Sequence, residues 1–184
     1  MATKSLNSLY FATLTADAST GATYGAMTKI AGVITADIKR NGSGTPLYAD
    51  DGVFAFATGK GETQLTLDTA GLTIEQRGAL LGHTVTKGVM ITKAGDESPY
   101  VGIAFKGLDH NDKNVYVKLL KGKAREFDET METNGGTPKF STQKIIIDFV
   151  NREFDGASEQ VAYESGTDFE ATTGSAWFTT FEPT

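Results

Sequence analysis

The residues that most often carry out chemistry in proteins are scarce in this chain. Among its 184 residues there are two histidines, His83 and His110, and no cysteine. A thiolate metal site and a disulfide framework are therefore excluded. His83 follows a glycine at a predicted helix end, where we expect capping or packing, and His110 falls in a predicted hairpin turn. A Ser-His-Asp triad would need a nucleophile on a sharp strand-to-helix turn, and no such motif accompanies either histidine.

Two short stretches match ligand-binding loops only in part. Residues 109–114 (DHNDKN) contain the carboxylates and amides of a calcium loop, but Lys113 occupies a ligand position and Leu120 stands where a glutamate is needed. Residues 59–61 (GKG) lack the hydroxyl residue that follows the lysine of a phosphate-binding loop. We therefore predict that both stretches are turns. The protein is expected to have no catalytic residue, no cofactor and no metal site.

The charge of the chain argues against tight binding to nucleic acid. The formal net charge is −6 and the pI is about 4.9, whereas phosphate recognition needs clustered lysine and arginine. Arg152 is the last basic residue, and only carboxylates follow it among the charged residues. A basic group without intervening carboxylates comprises Lys113, Lys118, Lys121, Lys123 and Arg125. The two regions are either solvated surfaces or complementary surfaces that meet within or between chains.

Length and hydropathy favour one domain over residues 1–184. Hydrophobic residues make up 39% of the chain, which is enough for a core. No apolar run approaches the roughly 20 residues that span a bilayer. The N-terminus lacks the apolar segment of a signal peptide, so we expect synthesis in the cytoplasm.

The hydrophobic pattern predicts a mainly β fold. Turn signals recur about every 8–12 residues, as in a β-sandwich or related all-β fold. Residues 53–58 and 62–68 are expected to pair as a hairpin, residues 100–120 to form another, and the apolar run 143–150 to be buried on both faces. The predicted strands are residues 8–15, 29–39, 53–58, 62–68, 83–93, 100–108, 114–120, 143–150, 161–165 and 175–181.

One short helix is predicted over residues 73–81. Thr73 and Gln76 have the spacing of a capping box, in which each side chain bonds the other residue's backbone N–H. Gly82 follows the last apolar residue and is expected to end the helix.

Two long segments have no apolar rhythm of their own. Residues 40–52 are dense in turn residues. Residues 121–138 are charged, contain two adjacent glycines and end at a proline. Loops of this length are uncommon in compact domains unless they have a function.

The order of motifs resembles that of the major tail proteins of long-tailed bacteriophages, which are the subunits of the tail tube. A short helix ends in Leu80-Leu81-Gly82, and an acidic turn leads to Pro99-Tyr100. Next come VGIAFKGLDHNDKNVYVKLLKGKA, a long charged loop, TPKF, another strand and Trp177-Phe178. The resemblance covers residues 25–183 and is firmest over residues 80–140.

The resemblance implies a tail-tube fold, which is a two-sheet β-sandwich with one short flanking helix and long arms. It also implies that six subunits form a ring with a continuous inner wall of strands, and that rings stack into a tube conducting DNA during ejection. The implied partners are the protein itself, the tape-measure, tail terminator and distal tail proteins, and passing DNA that is not tightly bound, with no membrane. The implied location is the virion tail, after synthesis in the bacterial host cytoplasm.

Exposed strand edges give a physical reason for arms in such a subunit. Unpaired edges associate unless they are covered, and a ring pairs them through an interface that closes on itself. We therefore expect residues 121–138, 40–52 and 1–7 to contact neighbouring subunits. Apolar residues among charges, such as Phe127 and Met131, favour this reading. The candidate intersubunit contacts are Lys121, Lys123, Arg125, Phe127, Met131 and Tyr48.

A tube that conducts DNA should repel phosphate, and carboxylates on a polar strand face would do so. The candidate lumen-facing residues are Asp37, Glu62, Asp68 and Asp148. A solvated outer sheet face would be equally polar and acidic.

Three alternatives remain at this stage. The first is a tube protein of the type VI secretion kind, whose fold is similar. The second is a β-sandwich binding module for carbohydrate or a protein partner, for which Tyr100, Tyr116 and Trp177 could form an aromatic surface. The third, a jelly-roll-like enzyme, is disfavoured by the shortage of histidine and cysteine.

Overall fold

The computed structural model describes residues 3–49, 52–59, 61–127 and 142–181. Within these ranges the chain is mainly β, as predicted, and its helices are short. No described helix has the length and apolar character needed to cross a membrane. In chain order the elements are β1 (Thr3–Ala18), β2 (Gly21–Tyr24), β3 (Thr28–Ile30), β4 (Val33–Arg40), β5 (Ser43–Ala49), β6 (Gly52–Gly59), β7 (Thr63–Thr69), α1 (Ile74–Leu81), β8 (Thr84–Thr86), β9 (Val89–Ile91), β10 (Tyr100–Asp109), β11 (Asn114–Ala124), β12 (Gln143–Val150), β13 (Glu159–Tyr163) and α2 (Ala171–Ala176).

Most of the described strands belong to one antiparallel sheet. Its order is β2-β1-β10-β11-β12-β7-β4, with β3 also paired to β1 and β13 also paired to β11. β5 and β6 form a separate two-stranded sheet, as do β8 and β9. The predicted hairpin of residues 100–120 is confirmed as β10 and β11.

The large sheet divides at β11. One edge of β11 pairs with β10, while the other edge pairs first with β13 over residues 115–119 and then with β12 over residues 121–124. At the change of partner, the Leu120 N–H donates to the Ser158 carbonyl at 2.9 Å. Beyond β11 the sheet therefore has two branches, one formed by β13 and the other by β12, β7 and β4. The second branch can fold over the part of the sheet that contains β1 and β10.

The main core lies between these two parts of the sheet. Burial alternates along β7 and β12, because successive side chains of a strand point to opposite faces. Leu65 and Ile147 are fully buried and share one cluster with Phe11, Ile103 and Leu119 from β1, β10 and β11. Burying such a side chain contributes about 1.5–3 kcal/mol, so this cluster supplies most of the stabilisation that joins the two parts.

Only one face of residues 143–150 is buried, which corrects the expectation of burial on both faces. Burial on both faces is found instead on β10 and β11. Their second face is covered by the C-terminal segment, where Trp177 and Phe181 pack on Ala104, Tyr116 and Leu120. The C-terminal segment, which is remote in sequence from β10 and β11, thus determines that these two strands are buried on both faces.

The predicted helix is confirmed as α1. The Thr73 hydroxyl accepts from the Gln76 N–H at 3.3 Å, and the Gln76 side chain accepts from the Thr73 N–H at 3.1 Å. Gly82 ends the helix in the left-handed conformation with φ +76°, which costs least for glycine.

The predicted pairing of residues 53–58 with 62–68 is wrong. Both strands exist, but β6 pairs with β5, whereas β7 pairs with β4 and β12. β5 lies within residues 40–52, which the turn residues predict to be a loop. Pro46 fits in β5 because a two-stranded sheet has only edge strands, where proline is tolerated.

The structure corrects three further element predictions. Residues 29–39 form two strands, β3 and β4, because Gly32 adopts φ +73° between them. Residues 83–93 form the hairpin β8–β9, which turns at Lys87 and Gly88, both with positive φ. Residues 175–181 contain the end of α2 and a turn instead of a strand, so that Trp177 and Phe181 both reach the sheet.

Candidate functional site

The outer sides of β12, β7 and β4 form one surface, which we call the polar face. On β7 the half-buried residues Gln64, Thr66 and Asp68 alternate with the buried ones. Pairing between the strands places Asp148 beside Gln64, and Asp37 beside Thr66. The polar face comprises Thr35, Asp37, Lys39, Glu62, Gln64, Thr66, Asp68, Lys144, Ile146 and Asp148.

All four carboxylates predicted from the sequence to share a surface lie on or at the end of this face. Gln64 donates to Asp148 across the strands at 2.8 Å, and Thr35 donates to Asp68 at 2.9 Å. Asp37 is exposed on β4, and Glu62 is exposed immediately before β7. The sheet register therefore brings together residues that are far apart in the chain.

Cations accompany these carboxylates, so the polar face is mixed in charge. Arg125 donates from Nε to Asp148 at 2.5 Å. Burial alone would raise the pKa of Asp148, but hydrogen bonds from Arg125 and Gln64 outweigh burial and hold this pKa below its ordinary value. The hydrogen bond to Asp148 raises the pKa of Arg125, and the charge of Glu62 adds to this effect. Arg125 is thus held by acidic neighbours.

The basic residues predicted as intersubunit contacts have partners within their own chain. Lys121 forms an ion pair with Asp17 at 2.7 Å. The ammonium groups of Lys121 and Lys123 each lie 4.9 Å from the centre of the Tyr100 ring, and Lys123 is the cross-strand partner of Tyr100. These contacts order the side chains along the C-terminal half of β11, which runs to Ala124 and not into a loop.

The two apolar residues predicted as contacts have different outcomes. Phe127 is 8% exposed and belongs to the main core of its own chain, with the Arg77 guanidinium 5.7 Å from its ring centre. The argument that Phe127 is stranded among charges is therefore wrong. Met131 and residues 128–138 of the predicted arm lie outside the described residues, as do residues 1 and 2 of the predicted N-terminal arm.

The hairpin β5–β6 extends from the end of the polar face. Its two ends meet there, because the Asn41 N–H donates to the Glu62 carbonyl at 3.1 Å. The described hairpin packs against no other strand or helix to a substantial extent. Tyr48, a predicted contact residue, is 69% exposed on β5. The residues of β5 and β6 carry no charge and include Tyr48, Phe54 and Phe56.

A cleft of about 830 Å³ lies beside the base of this hairpin, between β13 and the ends of β7 and β12. Arg40 and Glu159 form an ion pair across it. Val150 and Val161 line the cleft and are each about two fifths exposed. The cleft follows from the division of the sheet at β11.

The aromatic surface proposed for a binding module is not formed. Tyr116 and Trp177 are buried in the cluster beneath the C-terminal segment, with ring centres 5.6 Å apart. Tyr100 is partly exposed, and its ring contacts the ammonium groups of Lys121 and Lys123 instead. These three residues therefore do not form one exposed group.

The structure also tests the predicted turn of residues 109–114 and the two histidines. The Asp109 carboxylate accepts the N–H groups of Asn111 and Lys113, which makes residues 109–114 a hairpin turn as predicted. Among the described residues, no group of three acidic or histidine side chains is placed to hold a metal ion. His110 is exposed, as expected, and His83 is buried next to the end of α1.

Two buried cations were missed from the sequence. Lys118 and Arg152 are each 1% exposed. Lys118 donates to the Thr180 carbonyl at 2.8 Å, and Arg152 to the Phe181 carbonyl at 3.4 Å and to Asp155. The alternation of Tyr116, Lys118 and Leu120 on β11 could have placed Lys118 on a buried face, but no signal indicated Arg152.

Together the sheet, the polar face and the unsupported hairpin define a β-rich structural protein in which no metal-binding group is formed by the described residues. The family model for phage tail tube proteins matches residues 1–176. The chain therefore belongs to the phage tail tube protein family and is a structural component of the virion tail. No curated protein matches it.

Proposed function

We propose that six copies of this single-domain subunit form a ring, and that stacked rings form the tail tube through which DNA passes during ejection. The polar face would line the lumen, and the β5–β6 hairpin would contact a neighbouring subunit. The observation that carries the proposal is the hairpin, whose two strands are uncharged and contain aromatic residues. The hairpin makes no substantial contact with another described strand or helix.

An isolated two-stranded hairpin is marginally stable in water at best. A hairpin with this composition needs an apolar partner, and a second copy of the subunit would supply one within a ring or between rings. Tyr48 would be one of the residues that become buried. Of the other predicted contacts, Lys121, Lys123 and Arg125 remain candidates at the border of the polar face, and Met131 remains a candidate in the arm.

The mixed charge of the polar face suits a surface that DNA slides past. Tight binding requires cations that are free to replace the counterions of phosphate groups. Arg125 is engaged by Asp148, and Lys121 by Asp17, so phosphate would have to compete with carboxylates for these two cations. Lys39 and Lys144 are exposed on the polar face, where the four carboxylates outnumber them. Asp37 and Glu62, which are exposed, would add repulsion.

The tape-measure protein would occupy the lumen before ejection, and the terminator and distal tail proteins would close the two ends of the tube. Synthesis in the host cytoplasm would precede assembly. Membership of the tail tube family supports assembly with other tail proteins.

The hairpin provides a direct test of assembly. We would delete residues 43–60 and join Gly42 to Gly61 through a two-residue turn, which the contact between Asn41 and Glu62 permits. The expected result is a folded monomer with nearly unchanged melting temperature that forms no rings or tubes. Wild-type protein at high concentration should form them, with or without a tail-initiation complex. Light-scattering mass and negative-stain electron microscopy provide the readout.

A point variant serves as the matched control. Tyr48→Ser keeps the hairpin and removes one exposed aromatic side chain, so we expect weakened assembly without complete loss. Rings or tubes formed by the deletion variant would rule out the hairpin as an assembly element. Wild-type protein that stays monomeric with the initiation complex present would contradict the tube proposal itself.

A further inference from the structure

His83 is held between two carboxylates from different parts of the chain. It lies in the connection between α1 and β8, and its side chain is 3% exposed. Its Nδ1 atom is 2.9 Å from Oδ2 of Asp96, in the turn after β9. Its Nε2 atom is 3.1 Å from Oε1 of Glu126, just after β11. One imidazole thus joins three segments of the chain.

The protonation state of the imidazole determines how many of these contacts are hydrogen bonds. A neutral imidazole has one N–H donor and one acceptor nitrogen, whereas an ionised carboxylate can only accept. The pKa of Asp96 is held below its ordinary value by the Lys93 N–H and then by His83, which keeps this carboxylate ionised. Both contacts of His83 are hydrogen bonds only when both ring nitrogens carry a proton.

The carboxylates of Asp96 and Glu126 differ in their exposure and in the hydrogen bonds that they accept from groups other than His83. Asp96 is 15% exposed at its side chain and also accepts the Lys93 N–H at 2.9 Å. Glu126 is 68% exposed at its side chain and can be solvated by water when released. A ring that keeps a single proton therefore keeps it on Nδ1 toward Asp96, and the contact to Glu126 is the one that opens.

We propose that His83 is a protonation-controlled clip that fastens the exit of β11 to the α1–β8 connection. The imidazolium holds both Asp96 and Glu126, and the neutral ring holds Asp96 alone. Because His83 faces a carboxylate at each ring nitrogen, the number of protons on the ring decides whether the clip is closed. This device is separate from the polar face and from the hairpin.

The charged surroundings of the ring determine how far the release extends. Asp96 and Glu126 face the imidazole directly, and Lys93 contributes its N–H to Asp96. Arg77 of α1 lies over the neighbouring Phe127 ring, and Phe127 is buried in the core. Opening of the clip is therefore confined to the Glu126 side chain and the backbone beside it, where the Arg125 N–H donates to the Ile146 carbonyl at 2.9 Å. Its consequence for assembly rests on the proposed function, in which the chain after β11 leads into an intersubunit arm.

Nuclear magnetic resonance of the full-length subunit labelled with ¹⁵N-histidine tests the clip, because the chain has only two histidines. At pH 5.5 we expect both ring nitrogens of His83 to be protonated, and on raising the pH to 8.5 only Nε2 should lose its proton. The exposed His110 serves as the internal control. A His83 ring with one protonated nitrogen across this whole range would overturn the proposal.

Amide exchange measures the release itself. The protection factor of the Arg125 N–H, which donates to the Ile146 carbonyl beside the clip, should fall by roughly tenfold above the transition, the scale expected for losing a hydrogen bond to a charged group. Glu126→Gln should abolish this pH dependence, because an amide can accept from the charged ring and donate to the neutral one. Glu126→Ala should show low protection at every pH, and His110→Gln should behave as wild type.

A protection factor of the Arg125 N–H that does not change with pH in the wild type would also overturn the clip. Ring formation is read separately by light scattering. Failure of the wild type to assemble would count against the proposed function, while the ring-nitrogen spectra would still decide the clip.

Discussion

Lys118 is a buried cation without a carboxylate partner among the contacts that hold it. Its ammonium group donates to the Thr180 carbonyl and lies 4.5 Å from the centre of the Trp177 ring. Burial lowers the pKa of Lys118 to about 8, and the charge of Arg152 acts in the same direction. Folding therefore disfavours the charged form of Lys118, although the ammonium form still predominates below about pH 8.

This pKa predicts how stability changes with pH. The folded-state pKa of about 8 lies below the ordinary 10.5, so between these values the unfolded chain binds more protons and stability rises with pH. Lys118→Met should remove this rise. At pH 7 the variant should be more stable by up to about 3 kcal/mol, less whatever the lost hydrogen bond and ring contact contribute.

Chemical denaturation at pH 7, 8, 9 and 10 measures the difference between wild type and variant, which cancels the titration of other groups. Lys123→Met is the control, since it removes a lysine that is only half-buried on the same strand. A difference between wild type and Lys118→Met that stays constant across this range would contradict the predicted titration.

Among the elements, α1 depends on a local cap and on a close approach by a distant loop. Gly82 has φ +76°, and a β-carbon there would lie 2.1 Å from the Glu97 carbonyl oxygen. Gly88, in the turn of β8–β9, has φ +75° but no atom within 4 Å of such a carbon. The two glycines share a backbone conformation and differ in the space around them.

This pair separates conformational strain from steric overlap. Gly88→Ala should cost about 1–2 kcal/mol, the cost of a left-handed residue with a side chain. Gly82→Ala should cost about 1–3 kcal/mol more, because the overlap is with backbone that cannot move aside. Urea unfolding followed by circular dichroism measures both. Equal losses of unfolding free energy in the two variants would mean that the loop containing Glu97 moves away from the new side chain at no energetic cost.

At the scale of the whole molecule, the proposed lumen must carry DNA without holding it. Asp37→Lys combined with Glu62→Lys would reverse two exposed charges on the polar face. We expect assembled variant tubes to bind DNA at low salt and to release it as salt rises, because added cations replace phosphate counterions. Wild-type tubes should show little binding under the same conditions.

The matched control reverses two exposed carboxylates elsewhere, Glu75→Lys on α1 and Glu97→Lys in the loop after β9. Both double variants change the net charge equally. Electrophoretic mobility shift across a salt series provides the comparison. Equal DNA binding by the two variants would show that net charge matters and the polar face does not, which would remove the reason for placing this face in the lumen.

The sequence predicted correctly those elements whose determining contacts join residues close together in the chain. The capping box of Thr73 and Gln76, the glycine that ends α1 and the β10–β11 hairpin all depend on residues a few positions apart. The pairing of β6 was misjudged because two candidate partners, β5 and β7, flank it with similar short connections. The polar face was predicted through its carboxylates, but its cations were not, since only the sheet register shows which lysines and arginines stand beside them.

The sequence by itself determined the mainly β class, the capped helix, the alternation that separates the core from the polar face, and the ordered motifs of a tail tube protein. Tertiary structure decided the division of the sheet at β11, the second cover over β10 and β11, the burial of Lys118, Arg152 and Phe127, and the contacts of His83. The physical reason is that strand pairing and burial depend on segments far apart in the chain, whose meeting is set by the packing of the whole core and not by any local pattern.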